Sequence, residues 1–229
     1  MTNTDESAFA RRHPKDGEKF TRLIQEVRPD WTTEVHAVKD GVFPESLEGI
    51  DGAMITGSPA SAQSNDPWVL ALLQVIRDAV AVGLPLFGAC FGHQAIARAL
   101  GGKVGFNDGP FVLGIVEVEA VGRAPWMGAA PDRFRLAAAH GEQVTAMPAG
   151  AVLNSAGPGC PIGGFHIGDR VFTTEYHPEM THDFISALID ILAGKMDADV
   201  IEPARASLDQ PADRAVFAEW IARFFEVRR

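Results

Sequence analysis

Apolar residues along this chain fall into helical and extended spacings from residue 20 onward. Phe20, Leu23, Ile24 and Val27 fit one helical face closed by Pro29, whereas residues 1–19 are polar and are expected to be loosely ordered. Residues 34–38 alternate like a strand, and 51–56 form another short one. From 67 to 82 an amphipathic helix places Trp68, Leu72, Val75, Ile76 and Ala79 on one face, as core residues. The run 84–87 suits a buried strand, and from Gln94 helical spacing returns through Ala95, Ile96, Ala99 and Leu100 until Gly101 and Gly102. Residues 103–119 read as strands, best at 112–118, and 171–174 as another. Two helices close the chain, one carrying Phe184, Leu188, Ile189 and Leu192, the other Val216, Trp220, Ile221 and Phe224. Residues 197–211 are the most loop-like insertion between them, and no internal repeat or low-complexity linker is seen. Strands alternating with helices predict one α/β domain over residues 1–229. Its central, mostly parallel sheet is flanked by helices, with the active site at the C-terminal ends of the strands.

The stretch 84–97 carries the first chemical signal. A strand turning sharply into a helix lifts the residue at the turn, Cys90, to the edge of the sheet, with Gly88 and Gly92 permitting the tight backbone. At a helix N-terminus its thiolate is expected to form more easily than that of a free thiol, of pKa about 8.5. The Phe91 N–H is placed to stabilise an oxyanion. The elbow alone fits a buried structural cysteine equally well. The second signal lies at Glu175-Tyr176-His177-Pro178-Glu179, directly after the 171–174 strand. In extended chain His177 and Glu179 project to the same side, and Pro178 keeps His177 out of the helical region. A histidine beside Cys90 would act as its base, with Glu179 fixing the tautomer and stabilising the imidazolium.

Gly88-Ala89-Cys90-Phe91-Gly92-His93-Gln94, followed downstream by His177-Pro178-Glu179, resembles a class I glutamine amidotransferase domain. The likeness runs from about Phe20 to the C-terminus and is nearest to stand-alone members similar to the glutaminase half of GMP synthase. It implies a flavodoxin-like fold and a Cys90–His177–Glu179 triad. A second oxyanion donor is implied at the Ser58 amide, in the loop Gly57-Ser58-Pro59, where the family usually has glycine. Gly57, Gln94, His140 and Gly141 are implied as substrate contacts. The implied reaction is attack of Cys90 on the γ-carbonyl of glutamine, giving a thioester that water resolves, with no metal or organic cofactor. Any ammonia acceptor would sit on a separate synthase subunit or not exist, because the chain carries no P-loop and no recognisable ATP-binding half. Hydrolysis of another γ-glutamyl amide, such as a peptide or polyamine conjugate, uses the same residues. A non-catalytic binding domain is the third reading, and the intact triad speaks against it. One departure stands out: the family opens with an apolar strand ahead of the first helix, and none is legible before Phe20.

Composition narrows the partners. With 229 residues, 46% of them hydrophobic, the chain can bury a full core. A net charge of −10 argues against nucleic acid and anionic membrane surfaces. There is no apolar run of about 18 residues and no signal-peptide pattern at the start, so a cytoplasmic location is expected. Two cysteines, Cys90 and Cys160, are too few for a disulfide framework, and Cys160, in a Gly- and Pro-rich loop, is read as incidental.

Overall fold

A computed structural model of the chain describes residues 1–2, 7–129 and 131–227. Helix α1 spans Asp16–Gln25, β1 Ala53–Ile55, α2 Pro67–Ala81 and β2 Leu86–Ala89. After a single residue, α3 (Phe91–Ala99) leads to β3 (Lys103–Phe106) and β4 (Val112–Ala120). Five further strands follow: β5 (Arg133–His140), β6 (Glu142–Ala146), β7 (Val152–Gly157), β8 (Cys160–Ile167) and β9 (Val171–Thr174). Helices α4 (His182–Leu192), α5 (Ala198–Ser207) and α6 (Arg214–Glu226) complete the described chain.

Seven strands form one sheet in the order β1-β2-β9-β8-β7-β4-β5, and β3 pairs with β6 in a separate ribbon. β1, β2 and β9 run parallel, with Ile55 opposite Gly88 and Ala89 opposite Thr174. The remaining pairings are antiparallel. The α/β sheet flanked by helices is thus mixed, parallel at one end and antiparallel at the other. Its far edge also turns back: the His177 amide donates to the Ala137 carbonyl of β5 at 2.8 Å, just beyond β9. The sheet therefore curls over the ends of its parallel strands.

Alternation along those strands divides the core. Leu86 and Val171, paired across β2 and β9, face α2 and α3 and join Leu72, Ile76 and Ile96. Phe87 and Phe172, one residue on, face α1 and α6 among Phe20, Phe217, Trp220 and Phe224. Burying each such aromatic side chain contributes about 1.5–3 kcal/mol. A third cluster packs Ile185 and Ile189 of α4 and Ile201 and Ala204 of α5 against Leu113, Ile115 and Ala137.

Several local expectations change. Residues 3–6 of the supposedly loose start lie outside the described residues, but α1 begins at Asp16, where the Lys15 amide donates to Glu18 at 3.1 Å. Phe9 packs on Phe184 at 5.4 Å, so apolar and capping contacts order this polar stretch. Residues 34–38 are not a strand. Their pairing is one parallel bridge from Ala37 to Thr2, followed by a 3-10 turn over Val38–Asp40. Met1 meanwhile donates to the Met54 carbonyl and accepts from the Thr56 amide, so two residues of extended chain lie between β1 and that segment. The expected loop at 197–211 contains α5 despite Pro203, because Ile201 and Ala204 are buried and the Ser207 hydroxyl accepts from the Ile115 amide at 2.8 Å. Val216 is exposed on α6, and Cys160 is buried at the start of β8.

Gly92 is the tightest packing point behind the elbow, since a Cβ there would lie 2.2 Å from the Ile55 carbonyl oxygen. Gly92→Ala is expected to lower unfolding free energy by about 1–3 kcal/mol, or more, through overpacking. Denaturant titration checks this, and an unchanged midpoint would mean that β1 and α3 separate freely.

Candidate active site

Cys90 joins β2 to α3 with φ 49° and ψ −109°, and among the described residues it alone of the non-glycines has positive φ. Such a conformation costs about 1–3 kcal/mol and survives only where both flanks are fixed. Here the Cys90 amide donates to Thr174 O at 2.8 Å, and its carbonyl accepts from the Gln94 amide at 3.0 Å. Gly88 is required beside it, because a Cβ would sit 2.6 Å from the Gly92 carbonyl carbon.

His177 and Glu179 follow β9, the parallel neighbour of β2. Nδ1 of His177 lies 2.7 Å from Glu179 Oε1, and both side chains are buried. A Cβ on Gly57 would stand 2.9 Å from His177 Cε1 and 3.7 Å from Cys90 Cβ. Imidazole and thiol therefore converge over the bare backbone of Gly57. Among the described residues His177 Nε2 has no hydrogen-bond partner, and one cavity, of about 820 Å³, is lined by Cys90, His177 and Glu179.

The other expected residues divide by position. Ser58 lines the cavity, its Oγ accepts from the Ala60 amide at 2.8 Å, and it avoids the left-handed region that glycine would allow. The Phe91 amide hydrogen-bonds the Cys90 thiol. Gln94 also lines the cavity, but both hydrogens of its amide are committed to protein groups, Glu142 O at 2.9 Å and Glu175 Oε1 at 2.8 Å. Its NH₂ thus braces the site from the cavity wall. His140 and Gly141 are at the cavity wall. Nδ1 of His140 is 3.2 Å from Glu142 O, Nε2 is unpartnered, and burial lowers its pKa to about 4, so the ring is neutral near pH 7.

Two carboxyls escaped the sequence reading. Glu142 lines the cavity and accepts the Ser61 hydroxyl on both oxygens, at 2.9 and 2.8 Å. Glu175 is fully buried and hydrogen-bonds both Gln94 and the Cys90 thiol. Its signal was available: in extended chain Glu175 shares the side of His177 and Glu179. Burial pushes the Glu175 carboxyl well above the usual carboxylate range. Among the described residues its second oxygen and His93 Nε2 make no hydrogen bond of ordinary geometry; they face one another at 3.6 Å, and burial lowers His93 to about 3. Burial thus disfavours the charged form of both groups. Glu179 behaves oppositely. Burial would raise it, but the charge and hydrogen bond of His177, with Lys19 further off, hold it below the usual range.

The thiol departs from expectation. Burial pushes Cys90 well above the ordinary thiol range, and the Glu175 and Glu179 carboxyls act in the same direction against the Phe91 amide. The helix N-terminus does not outweigh this desolvation. Cys90 is consequently a neutral thiol at rest. Among the described residues no group of three or more His, Cys, Asp or Glu is disposed to hold a metal ion, and no helix is long and apolar enough to cross a membrane.

The fold is a curled α/β sheet with a cysteine at a strand–helix elbow and a His–Glu pair just beyond the neighbouring parallel strand. The family model for class I glutamine amidotransferases matches residues 19–186, and the chain belongs to that family. Gamma-glutamyl peptidase 4 of Arabidopsis thaliana is 30% identical over 217 residues, covering 90% of this chain and 86% of the peptidase. The glutamine-hydrolysing GMP synthase of Bordetella avium is 32% identical over 180 residues, 72% of this chain but only 33% of the synthase. A glutamine amidotransferase structure from Thermotoga maritima superposes with TM-score 0.76 at 19% identity, covering 99% of this chain and 96% of that one.

Replacing Glu175 by neutral Gln is expected to lower the pH at which Cys90 is alkylated. In the native chain Glu175 ionises as pH rises and opposes the thiolate beside it. Iodoacetamide labelling read by intact mass against pH tests the coupling, and a midpoint unmoved or raised in Glu175→Gln would refute it.

Proposed function

We propose that this protein hydrolyses the γ-amide of glutamine, or of a γ-glutamyl compound, through a thioester on Cys90. The observation that carries the reading is the His177–Glu179 pair at 2.7 Å, set with Cys90 over the glycine backbone of Gly57. His177 Nε2 takes the thiol proton as sulfur attacks the γ-carbonyl carbon. The resulting oxyanion accepts hydrogen bonds from the Phe91 and Ser58 amides, each donor contributing about 2.7–4 kcal/mol if it behaves as in other oxyanion holes. When the tetrahedral intermediate collapses, the C–N bond breaks and His177 returns the proton to the departing ammonia or amine. Water, deprotonated by His177, then attacks the thioester and releases the γ-carboxylate and the thiol. Glu179 holds Nδ1–H and stabilises the imidazolium, the form a neutral resting thiol makes necessary.

The substrate is a small molecule held by its glutamyl end. Glu142 is the carboxylate positioned for an ammonium group, and neutral His140 offers an unpartnered Nε2 as acceptor. Ammonia from glutamine would be taken up by a separate synthase subunit. Hydrolysis of γ-glutamyl amides without any acceptor subunit is the second reading, supported by the likeness to gamma-glutamyl peptidase 4 along 90% of this chain.

Cys90→Ala is expected to abolish turnover, by about 10³-fold or more, while the chain stays folded. Glu179→Gln should cost about tenfold to a hundredfold less. Ammonia or amine release, with intact-mass detection of a glutamine-like diazo-ketone on Cys90, measures both. Undiminished turnover in Cys90→Ala, or an equal loss in Glu179→Gln, would contradict the roles assigned.

A further inference from the structure

The cavity is much larger than one free amino acid requires. At about 820 Å³ it lies in the upper part of the range, about 300–1,000 Å³, of cavities that enclose drug-sized ligands. Its excess wall is apolar and comes chiefly from α4. That helix carries two apolar stripes. Ile185 and Ile189 are fully buried against β4 and β5, whereas Phe184, Leu188 and Leu192, four residues apart, remain half-buried and line the cavity. Phe111 and Met196, also half-buried, belong to the same wall. At its outer end Phe9 and His13 pack on the Phe184 ring, with the Lys19 ammonium 3.8 Å from the ring centroid.

The position of this wall identifies what it would hold. In the proposed reaction His177 must deliver a proton to the departing nitrogen, so the leaving group lies on the His177 side. Met180 and α4 continue the chain directly from the His177–Glu179 segment and supply the apolar surface there. Polar lining gathers where Ser61 and Gln94 converge on Glu142, and again at the outer end of the wall, where Asp16 and Lys19 form an ion pair at 2.7 Å beside Phe184. A glutamyl ammonium suits the Glu142 end, because Asp16 is already paired with Lys19 and the apolar α4 side chains offer it no acceptor. Ammonia would leave the apolar wall to water.

We propose that the α4 wall is a subsite for the leaving amine, so that preferred substrates are γ-glutamyl amides whose amine carries an aromatic or large aliphatic group. The inference rests on the γ-amide reading above and deepens it. Covering half-open Phe, Leu and Met side chains with an apolar amine favours those amides in binding and in the transition state, a discrimination that free glutamine does not receive.

The experiment compares kcat/KM of the purified full chain for L-glutamine, γ-glutamylmethylamide and γ-glutamylbenzylamide, by chromatography of the released glutamate. Benzylamine is the weaker base and the better leaving group, so the subsite is reported by how variants of the wall change the benzylamide-to-methylamide ratio, which leaving ability does not affect. The benzylamide is expected to exceed the methylamide by about tenfold or more. Leu188→Asn, and independently Met196→Asn on another part of the wall, should lower the benzylamide value at least about fivefold more than the methylamide value. Glutamine or the methylamide processed as well as the benzylamide overturns the subsite while leaving the γ-amide reaction standing, as does an equal loss on both amides in a folded variant. No hydrolysis of any of the three, together with no labelling of Cys90 by the diazo-ketone, overturns both.

Discussion

Parallel pairing of β2 with β9 is the constraint from which the site follows. Ala89 lies opposite Thr174, and the hydrogen bond from the Cys90 amide to Thr174 O extends the ladder one residue beyond the strand. That bond fixes the backbone of Cys90 while α3 pulls the chain away, so the positive φ is imposed from both directions. Because parallel strands end at the same edge, Glu175 and His177 arrive beside Cys90 although more than eighty positions separate them. β1 brings Gly57 to that edge as the third parallel strand, and β5 closes over it through the Ala137–His177 bridge. A sheet antiparallel at β2 and β9 would send these segments to opposite ends of the molecule.

How much of this was legible depended on the range of the determining contacts. β9 and the elbow are set by local apolar runs and glycine, and they stand where the spacing put them. His177 and Glu179 were readable because their two-residue spacing after β9 brings the side chains together, although the segment bends and turns there where extended chain was expected. The same rule applied one step earlier points to Glu175, which went unnoticed because a lone acid in an apolar surrounding looks like a surface residue. α5 was illegible for another reason. Its Pro203 and polar residues disfavour a helix locally, and only the fit of Ile201, Ala204 and Ser207 against β4 supplies the compensating contacts. Residues 34–38 err the opposite way: the alternation is real, but among the described residues only Thr2 bridges to it.

Three buried acids in one site make the remaining logic electrostatic. Desolvation disfavours the charged form of Cys90, Glu175 and Glu179 alike. Glu179 escapes because His177 lies 2.7 Å away and its charged form is hydrogen-bonded, whereas Glu175 meets neutral groups, among them Gln94, His93, the thiol and the Val144 backbone, with the Glu142 carboxyl acting against its charge. One carboxyl is thus held toward its ionised form and the other toward its neutral form, the separation of roles that neighbouring acids adopt when their environments differ. A thiolate alone would be disfavoured here, but a thiolate formed together with an imidazolium is a net-neutral pair, and Glu179 stabilises the imidazolium half of it. In the proposed reaction the nucleophile is therefore generated only as His177 accepts the proton, with substrate in place to receive the sulfur. Burial, which at first sight weakens Cys90, restricts its reactivity to molecules that fill the cavity.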